Sequence, residues 1–279
     1  MSAPTISVIA GAYNLANCKT LDRSIKSVLE QTLSDFEFII CDDGSVDGTY
    51  DILKQYADKD DRIKLIKNEK NLGLVQTLNS CLASARGKYV ARHDLDDYND
   101  VSRFEKQLAY LEQHPEISVL GTAAALFDES GVWDKEIMPL KVENRDFLFN
   151  NPYKHGSIMM RRDAVERAER YRLAPETVRN EDYDLFMRMQ TFSGGANLPE
   201  ALYYFCEDDA ARERRKYRYR INEAKVRARG FKALGMMPWA FPYVIKPLIV
   251  GLIPSFALTR LQKRRRKKKN NSRHGGETD

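Results

Sequence analysis

The sequence predicts an α/β fold in which helices cover both faces of a mostly parallel sheet. Short, almost continuously apolar runs alternate with amphipathic helical patterns along the first hundred residues. The 279 residues, 43% of them hydrophobic, can bury one large or two small cores, which excludes a chain that is disordered throughout.

Four predicted strands alternate with helices in the first part of the chain. The strands are expected over residues 6–10, 36–41, 63–66 and 88–92. After the first strand, Leu21, Ile25 and Val28 lie on one helical face. Arg86 and Gly87 end the third helix, since glycine commonly follows a last helical turn. This alternation is typical of parallel strands joined by helices.

After residue 100 the pattern becomes less regular. Helices are expected over residues 103–113, 163–171 and 183–191, and strands over residues 117–122 and 155–161. Nothing marks a second independent core. We therefore assign residues 1–211 to one domain.

Charge divides the chain into an acidic body and a basic C-terminal part. Residues 212–279 contain 20 lysines and arginines against four acidic residues; this net charge of +16, taken from the total of +5, leaves −11 for residues 1–211. We predict a basic linker helix over residues 212–235. An apolar, proline-broken segment follows over residues 236–262, and a polybasic, disordered tail over residues 263–279.

The apolar segment is long enough to span a membrane but is interrupted by prolines. Residues 236–261 contain four prolines and only two charged residues, Lys246 and Arg260. Each proline removes a backbone donor that hydrocarbon cannot replace, so we expect broken helices lying at an anionic membrane surface. The alternative is a core or dimer element followed by a solvated basic tail.

An RNA-binding stripe is another alternative for the basic segment. Residues 212–229 contain nine basic residues, with Tyr217 and Tyr219 among them. Because the body is acidic, we expect no nucleic acid partner.

The cysteines and the N-terminus indicate a cytoplasmic location. The four cysteines form no C-x-x-C pair, so neither a zinc ribbon nor a disulfide framework is expected. The first 25 residues lack a basic region followed by an apolar run, which is the pattern of a secretory signal. We expect a peripheral or monotopic protein at the cytoplasmic face of the cell membrane.

Polar and acidic turns follow three of the predicted strands. They are residues 11–14, 42–45 and 93–97. Ligands of open α/β sheets bind beyond the carboxyl ends of the strands, so these turns are expected to line one cleft. Clustered carboxylates are costly without a cation, which indicates a Mg²⁺ site shared with a diphosphate. The chain has no P-loop and no G-x-G-x-x-G after its first strand, which disfavours P-loop ATPases and dinucleotide oxidoreductases.

These residues resemble the family-2 glycosyltransferases with the GT-A fold. The similarity spans residues 4–205, and its motifs follow the family's order and spacing. They lie in residues 7–14, 27–32, 36–49, 71–73, 91–97 and 180–185.

The resemblance implies a nucleotide-sugar donor site. Tyr13 would stack on the base, and Asp43 would accept a hydrogen bond from uracil, which implies a UDP-sugar. Asp94 would hold the ribose or sugar side of the donor. The matching motifs also place Gly11 and Leu95 in the donor-binding set.

The resemblance further implies a metal ligand and a general base. Asp96 would bind Mn²⁺ or Mg²⁺ at the diphosphate, and Asp182 would be the base of an inverting, single-displacement transfer. Glu181 is either an acceptor contact or a first-turn helix charge. His155 is either an acceptor contact or a structural histidine.

The sequence departs from the family's usual pattern in two places. Gly11 and Ala12 stand where the family usually has Pro-Thr, so any hydroxyl contact to the nucleotide there is lost. The family often has a histidine near residues 205–208 that can join the metal, and none is present. Asp42 is expected to cap turn amides rather than to contact the donor.

The sequence therefore predicts a metal-dependent hexosyl- or N-acetylhexosaminyltransferase. Its acceptor would be a polyprenyl-diphosphate-linked saccharide or a polysaccharide in surface glycan synthesis. A sugar nucleotidyltransferase and a non-catalytic, membrane-tethered sugar-nucleotide-binding protein are the alternatives. The oligomeric state is left open.

Overall fold

The computed structural model describes residues 3–206 and 217–252, which form a ten-stranded sheet flanked by helices. The strands are β1 (Ile6–Ala12), β2 (Phe36–Asp42), β3 (Ile63–Lys67), β4 (Tyr89–Arg92), β5 (Tyr98–Asn99), β6 (Ile117–Asp128), β7 (Gly131–Glu136), β8 (Lys141–Val142), β9 (Met159–Arg161) and β10 (Gly194–Cys206). The main path runs β3-β2-β1-β4-β9-β6-β10-β5. Only β9 and β5 run against the others on this path, so the mostly parallel α/β sheet is confirmed.

Helices follow most of the strands. They are α1 (Leu21–Leu29), α2 (Thr49–Ala57), α3 (Leu74–Ser84), α4 (Arg103–Gln113), α5 (Arg162–Arg167), α6 (Glu181–Gln190), α7 (Tyr217–Ala233) and α8 (Phe241–Gly251). Short 3₁₀ turns occur at Asn144–Leu148, His155–Ser157 and Pro175–Thr177. The predicted order of strands and helices up to residue 113 is confirmed, with end residues shifted by one or two positions.

Several elements after residue 113 differ from the prediction. The segment predicted as one strand over residues 155–161 begins with a 3₁₀ turn, and only Met159–Arg161 is extended. The helix predicted over residues 163–171 ends at Arg167, because Glu169 and Arg170 have φ angles of 61° and 56°, which cannot continue an α-helix. β6 extends six residues beyond the predicted 122, to Asp128.

The long strand β10 has no counterpart in the prediction. Its pairing with β6 shifts register between Leu198 and Ala201, on either side of Pro199. Proline cannot donate to a ladder, and a proline inside a run argues against a strand. The sequence pattern therefore did not identify β10.

The two faces of the sheet carry separate parts of the core. On β1, Ile6, Val8 and Ala10 pack on one face, and Ile9 packs on the other. This division follows from the alternation of side chains along a strand. Helices α1, α2 and α4 cover the first face, while α3, α6, α7 and α8 cover the second.

A buried arginine of α4 joins several elements beneath the carboxyl end of β4. The Nη2 atom of Arg103 donates to the carbonyl oxygens of Arg92 at 2.9 Å and Ile158 at 3.1 Å. Its Nε atom donates to Gln107 Oε1 at 3.0 Å, and its Nη1 atom donates to Asn99 Oδ1. Burial lowers the pKa of Arg103 to about 10. Because this pKa is still well above neutral pH, the guanidinium remains charged.

Helix α7 packs on the body of the domain through buried side chains. Val226 and Phe231 are fully buried in the core of the second face. Buried Arg227 donates from Nη1 to the Leu148 carbonyl at 2.7 Å and from Nη2 to the Phe149 carbonyl at 3.2 Å. The described part of the predicted linker helix is thus attached to the domain through residues 224–231, while the domain boundaries themselves stay predictions.

Helix α8 forms the described part of the apolar segment. Pro242 lies in its first turn and Pro247 inside it. Within the described ranges, no helix is long and apolar enough to cross a bilayer. The polybasic tail predicted over residues 263–279 and the end of the apolar segment lie outside the described residues.

Candidate active site

The turns after β1 and β2 are joined by hydrogen bonds. β1 lies between β2 and β4, all three are parallel, and their carboxyl ends therefore meet at one edge of the sheet. The Asn14 N–H donates to Ser45 Oγ at 2.9 Å, and the Val46 N–H donates to Asn14 Oδ1 at 3.1 Å. These bonds fix the segment that carries Tyr13, whose side chain is 47% exposed.

Asp43 organises the loop that precedes α3. Its Oδ1 accepts hydrogen bonds from Asn68 Nδ2 at 2.8 Å and from the Leu72 N–H at 2.9 Å. Its Oδ2 accepts one from the Gly73 N–H at 2.9 Å. A carboxylate offers about four acceptor positions, so Oδ2 keeps one for a further donor.

Two other predicted residues have structural roles here. Asp42 Oδ2 accepts the Ser45 N–H at 3.2 Å, as expected for a carboxylate that caps a turn. A Cβ atom at Gly11 would lie 3.1 Å from Thr77 Cγ2, so the glycine allows β1 to pack closely on α3.

The carboxylate of Asp94 at the end of β4 is paired with an arginine. Asp94 forms an ion pair with the guanidinium of Arg92, which is 1% exposed. Burial by itself would raise the pKa of Asp94, but Arg92, with smaller contributions from His155 and His93, brings that pKa below its ordinary value. Asp94 is therefore ionised at neutral pH.

The next two aspartates are placed differently. Asp96 is exposed, whereas Leu95 before it is buried. Asp97 is buried and accepts hydrogen bonds from the Tyr203 hydroxyl at 2.7 Å and the Cys206 N–H at 2.6 Å. Burial, together with the carboxylates of Asp96 and Asp94, raises the pKa of Asp97 well above its ordinary value. Asp97 is thus a structural carboxyl group, and Asp96 faces the solvent.

His155 connects the end of β4 with the start of α6. Its Nε2 lies 2.8 Å from the Tyr171 hydroxyl oxygen, and its ring meets the Tyr171 and Phe186 rings edge to face. Burial lowers the pKa of His155, and the carboxylates of Asp182 and Asp94 oppose that shift. The structure therefore places His155 within electrostatic reach of both Asp94 and Asp182.

Glu181 and Asp182 begin α6 and have different surroundings. Asp182 Oδ2 accepts a hydrogen bond from Asn151 Nδ2 at 2.7 Å, and its Oδ1 accepts the Tyr183 N–H at 2.7 Å. Glu181 is buried, and burial together with the Asp182 carboxylate raises its pKa to about 7.

Two cavities adjoin these carboxylates. An apolar cavity of about 590 Å³ lies between residues 72–75 and 173–181, with Glu181 in its wall. A polar cavity of about 210 Å³ lies between the start of α6 and helix α7, with Asp182 in its wall. Arg179 lines both cavities.

Few side chains of the described residues are grouped as possible ligands for a metal ion. In the part of the chain that the structure describes, no three His, Cys, Asp or Glu side chains are grouped to hold a cation. An ion at Asp96 would therefore need oxygen ligands from its substrate, as Mg²⁺ sites commonly do.

The sequence pattern assigned no role to Arg92, Arg103 or Tyr203, and it included Asp97 only as part of the acidic turn, although these residues hold the end of β4 in place. Arg92 offered a signal, because a charged residue that ends an apolar run is unusual unless it is paired. Tyr203 offered none, since its hydrogen bond to Asp97 joins positions 106 residues apart.

Comparison with protein families and curated proteins gives consistent matches. The family model described as glycosyl transferase family 2 matches residues 7–168. EpsE of Bacillus subtilis (strain 168), named as a glycosyltransferase, is 42% identical over 265 residues, which cover 94% of this chain and 95% of that protein. The amylovoran biosynthesis glycosyltransferase AmsE of Erwinia amylovora is 32% identical over 229 residues, covering 79% of this chain and 83% of that protein.

Solved structures share the fold at low sequence identity. TarS 1–349 of S. aureus in complex with UDP-GlcNAc has a TM-score of 0.66 and 20% identity, covering 87% of this chain and 74% of that one. The mannosyltransferase PcManGT from Pyrobaculum calidifontis, in complex with GDP-Man and Mn²⁺, has a TM-score of 0.61 and 15% identity, covering 94% and 80%. The predicted GT-A fold is therefore confirmed.

Glu181→Gln should change the pH dependence of stability. The pKa of Glu181 is raised from 4.5 to about 7 on folding, so ionising it opposes folding. Its cost is absent below pH 4.5, grows between pH 4.5 and 7, and levels off above pH 7 at on the order of 3 kcal/mol. Urea unfolding at pH 5 and pH 8 should show the variant gaining stability over the wild type at the higher pH.

The exposed residue Glu30 offers the control for this measurement. Glu30→Gln should leave the difference between pH 5 and pH 8 unchanged. A Glu181→Gln effect that is equal at both pH values would contradict the raised pKa.

Proposed function

This chain belongs to glycosyl transferase family 2, and we propose that it is a metal-dependent, inverting enzyme that uses a UDP-sugar. It would transfer a hexosyl or N-acetylhexosaminyl group to a lipid-linked saccharide or polysaccharide in surface glycan synthesis. AmsE, named for amylovoran biosynthesis, supports the product class, and TarS bound to UDP-GlcNAc supports the donor class. The nucleotidyltransferase and non-catalytic alternatives have no comparable support.

The observation that carries this proposal is the grouping of two carboxylates with the buried His155. Asp94 follows β4, Asp182 begins α6, and the charges of both act on the His155 ring. Inverting transfer needs the base and the leaving diphosphate on opposite faces of the anomeric carbon. A donor held beside Asp94 and an acceptor held beside Asp182 would meet this need without an enzyme nucleophile.

The donor base would be held at the turns after β1 and β2. The exposed ring of Tyr13 offers a stacking surface. Asp43, fixed by three hydrogen bonds, has one acceptor position left on Oδ2 for the N3–H group of uracil. A rigid acceptor of this kind favours uracil over bases that present no donor there.

Asp96 is the residue that would hold Mn²⁺ or Mg²⁺. The exposed carboxylate of Asp96 is a hard oxygen donor, which fits an ion that also takes diphosphate oxygens. When bound, such an ion would neutralise charge on the leaving diphosphate.

Asp182 would act as the general base. Asn151 orients one carboxylate oxygen, and the side chain borders the polar cavity where an acceptor could approach. Asp182 would take the acceptor hydroxyl proton as that oxygen bonds to the anomeric carbon, while the bond to the UDP oxygen breaks.

The C-terminal part would hold the enzyme at the cytoplasmic face of the membrane. Trp239, Phe241, Ile249 and Leu252 are all exposed on or beside α8, and Leu252 is 73% exposed. Apolar side chains grouped on one short helix suit the interfacial region of a bilayer. The basic residues that follow would add electrostatic attraction to anionic lipids.

Asp96→Ala should remove the metal dependence of UDP binding. In the wild type, calorimetry should give a lower Kd for UDP with Mn²⁺ than with EDTA, because an ion held by Asp96 would neutralise charge on the diphosphate. The variant should bind UDP equally with and without Mn²⁺. Asp100→Ala is a control, since Asp100 lies beyond β5 and caps the Ser102 N–H. A wild-type affinity that does not depend on metal would contradict the metal assignment.

Asp182→Asn should lower turnover by about 10²-fold or more while UDP affinity is retained, since the variant cannot take the acceptor proton. Steady-state kinetics on the acceptor and calorimetry with UDP separate the two effects. Glu181→Gln should keep most of the activity. Near-normal turnover in Asp182→Asn would exclude Asp182 as the base, and a product with the donor's anomeric configuration would exclude inversion.

The double substitution Ile249→Gln and Leu252→Gln should weaken binding to vesicles of phosphatidylcholine and phosphatidylglycerol by at least tenfold, because two apolar insertions are lost. High salt should release the wild type only in part. The control replaces Val46 and Ile137, exposed apolar residues outside α8, with glutamine. Wild-type protein that does not cosediment with these vesicles would contradict the membrane proposal.

A further inference from the structure

Arginines surround Tyr219 beside the polar cavity that contains Asp182. We propose that this arginine cluster, Arg179, Arg218 and Arg220, binds a phosphoryl group on the acceptor sugar. The proposal rests on the proposed function, because it takes Asp182 to mark the acceptor hydroxyl. It goes further by assigning the chemistry of the acceptor's other end.

The cavity is a cleft between two elements that are distant in sequence. Asn180, Asp182 and Tyr183 line one wall, and Tyr219, Arg220 and Glu223 line the other. Its volume of about 210 Å³ lies below the ~300–1,000 Å³ of typical ligand sites, so it suits one sugar ring rather than an oligosaccharide. Amide and carboxyl groups beside an aromatic ring are suited to binding sugar hydroxyls.

Two guanidinium groups of the cluster lie over the Tyr219 ring. The Cζ atoms of Arg179 and Arg218 lie 5.1 Å and 4.9 Å from the centre of its ring. Arg218 Nη2 donates to the Tyr219 hydroxyl at 2.9 Å, and this bond lowers the pKa of Tyr219. The tyrosine therefore gathers two cations at the side of the cavity.

The described residues provide an ion-pair partner for only one arginine of the cluster. Glu223 is shared between Arg220 and Arg227. Among residues 3–206 and 217–252, neither Arg179 nor Arg218 forms an ion pair. Guanidinium groups bind phosphoryl oxygens through paired, charge-assisted hydrogen bonds, so an anion of this class would complete the cluster.

The backbone at Arg179 has an unusual conformation. Its φ angle is 66°, in the left-handed region that side chains other than glycine, asparagine and aspartate seldom adopt. The fold nevertheless holds an arginine there, in the walls of both cavities. Strained residues of this kind are concentrated at ligand sites.

The end of α8 lies near the side of the cavity at which a lipid on the phosphoryl group would leave. Gly251 packs against the side chains of Tyr217 and Arg220, which flank Tyr219 on α7. Ile249 and Leu252, whose side chains are exposed, lie within two residues of Gly251 in the chain. A lipid attached to the phosphoryl group would leave the cavity towards this apolar end.

The acceptor is thus a single sugar that carries a phosphoryl link. Both the accepting hydroxyl at Asp182 and the phosphoryl group at the cluster belong to that one ring, because the cavity is small. A reaction that transfers a sugar phosphate to a lipid phosphate must supply such an acceptor. This enzyme would then add the second sugar.

The test measures binding of sugar phosphates to the full-length protein after saturation with UDP and Mn²⁺. The probes are the 1-phosphates of glucose, galactose and N-acetylglucosamine, with their methyl glycosides as uncharged counterparts. At least one sugar phosphate should bind tenfold or more tightly than its methyl glycoside by calorimetry. Arg179→Gln combined with Arg218→Gln should abolish that preference and leave the Kd of UDP unchanged, which also reports that the variant is folded.

Lys232→Gln is the matched control, because Lys232 is an exposed cation on α7, about 20 Å along the helix from Tyr219. It should keep the preference for the sugar phosphate. The proposal is overturned if the preference survives in the double variant, is lost equally in Lys232→Gln, or is absent in a wild type that binds UDP. A wild type that does not bind UDP would instead contradict the proposed function.

Discussion

The buried guanidinium of Arg103 holds together the elements on which the site depends. An isolated charge inside a protein is very costly, so its donors must all find acceptors. Here the acceptors are the carbonyls of Arg92 and Ile158 and the side chains of Asn99 and Gln107. These bonds fix the end of β4, the start of β9 and helix α4 to one another. The position at which the Asp94–Asp97 turn begins is fixed with them.

The carboxylates of the Asp94–Asp97 turn have different surroundings and therefore different protonation states. Arg92 keeps Asp94 ionised, while burial and two neighbouring carboxylates favour the protonated form of Asp97. Asp96 remains at the surface. The negative charge of the turn is therefore unevenly distributed, with Asp94 ionised and the protonated form favoured at Asp97.

The C-terminal helices are part of the same folded unit as the sheet. Arg227 donates to two backbone carbonyls next to the segment that carries Asn151, and Asn151 in turn donates to Asp182. Helix α7 therefore supports the wall that faces the predicted base and also lines the polar cavity. A basic segment that resembles a linker in sequence is, in the fold, a neighbour of the site.

The sequence by itself determined the α/β class, the order of the first four strands and helices, and the turns that carry Tyr13, Asp43 and Asp94. These features depend on local periodicity and on the rule that parallel strands end at one edge, and both can be read from neighbouring residues. Only the tertiary structure decided that Asp43 braces the loop before α3, that Asp97 is bound to Tyr203, and that Tyr219 faces Asp182 across a cavity. The physical reason is that these contacts join residues far apart in the chain, where burial and the pairing of charges, rather than local pattern, determine what each side chain does.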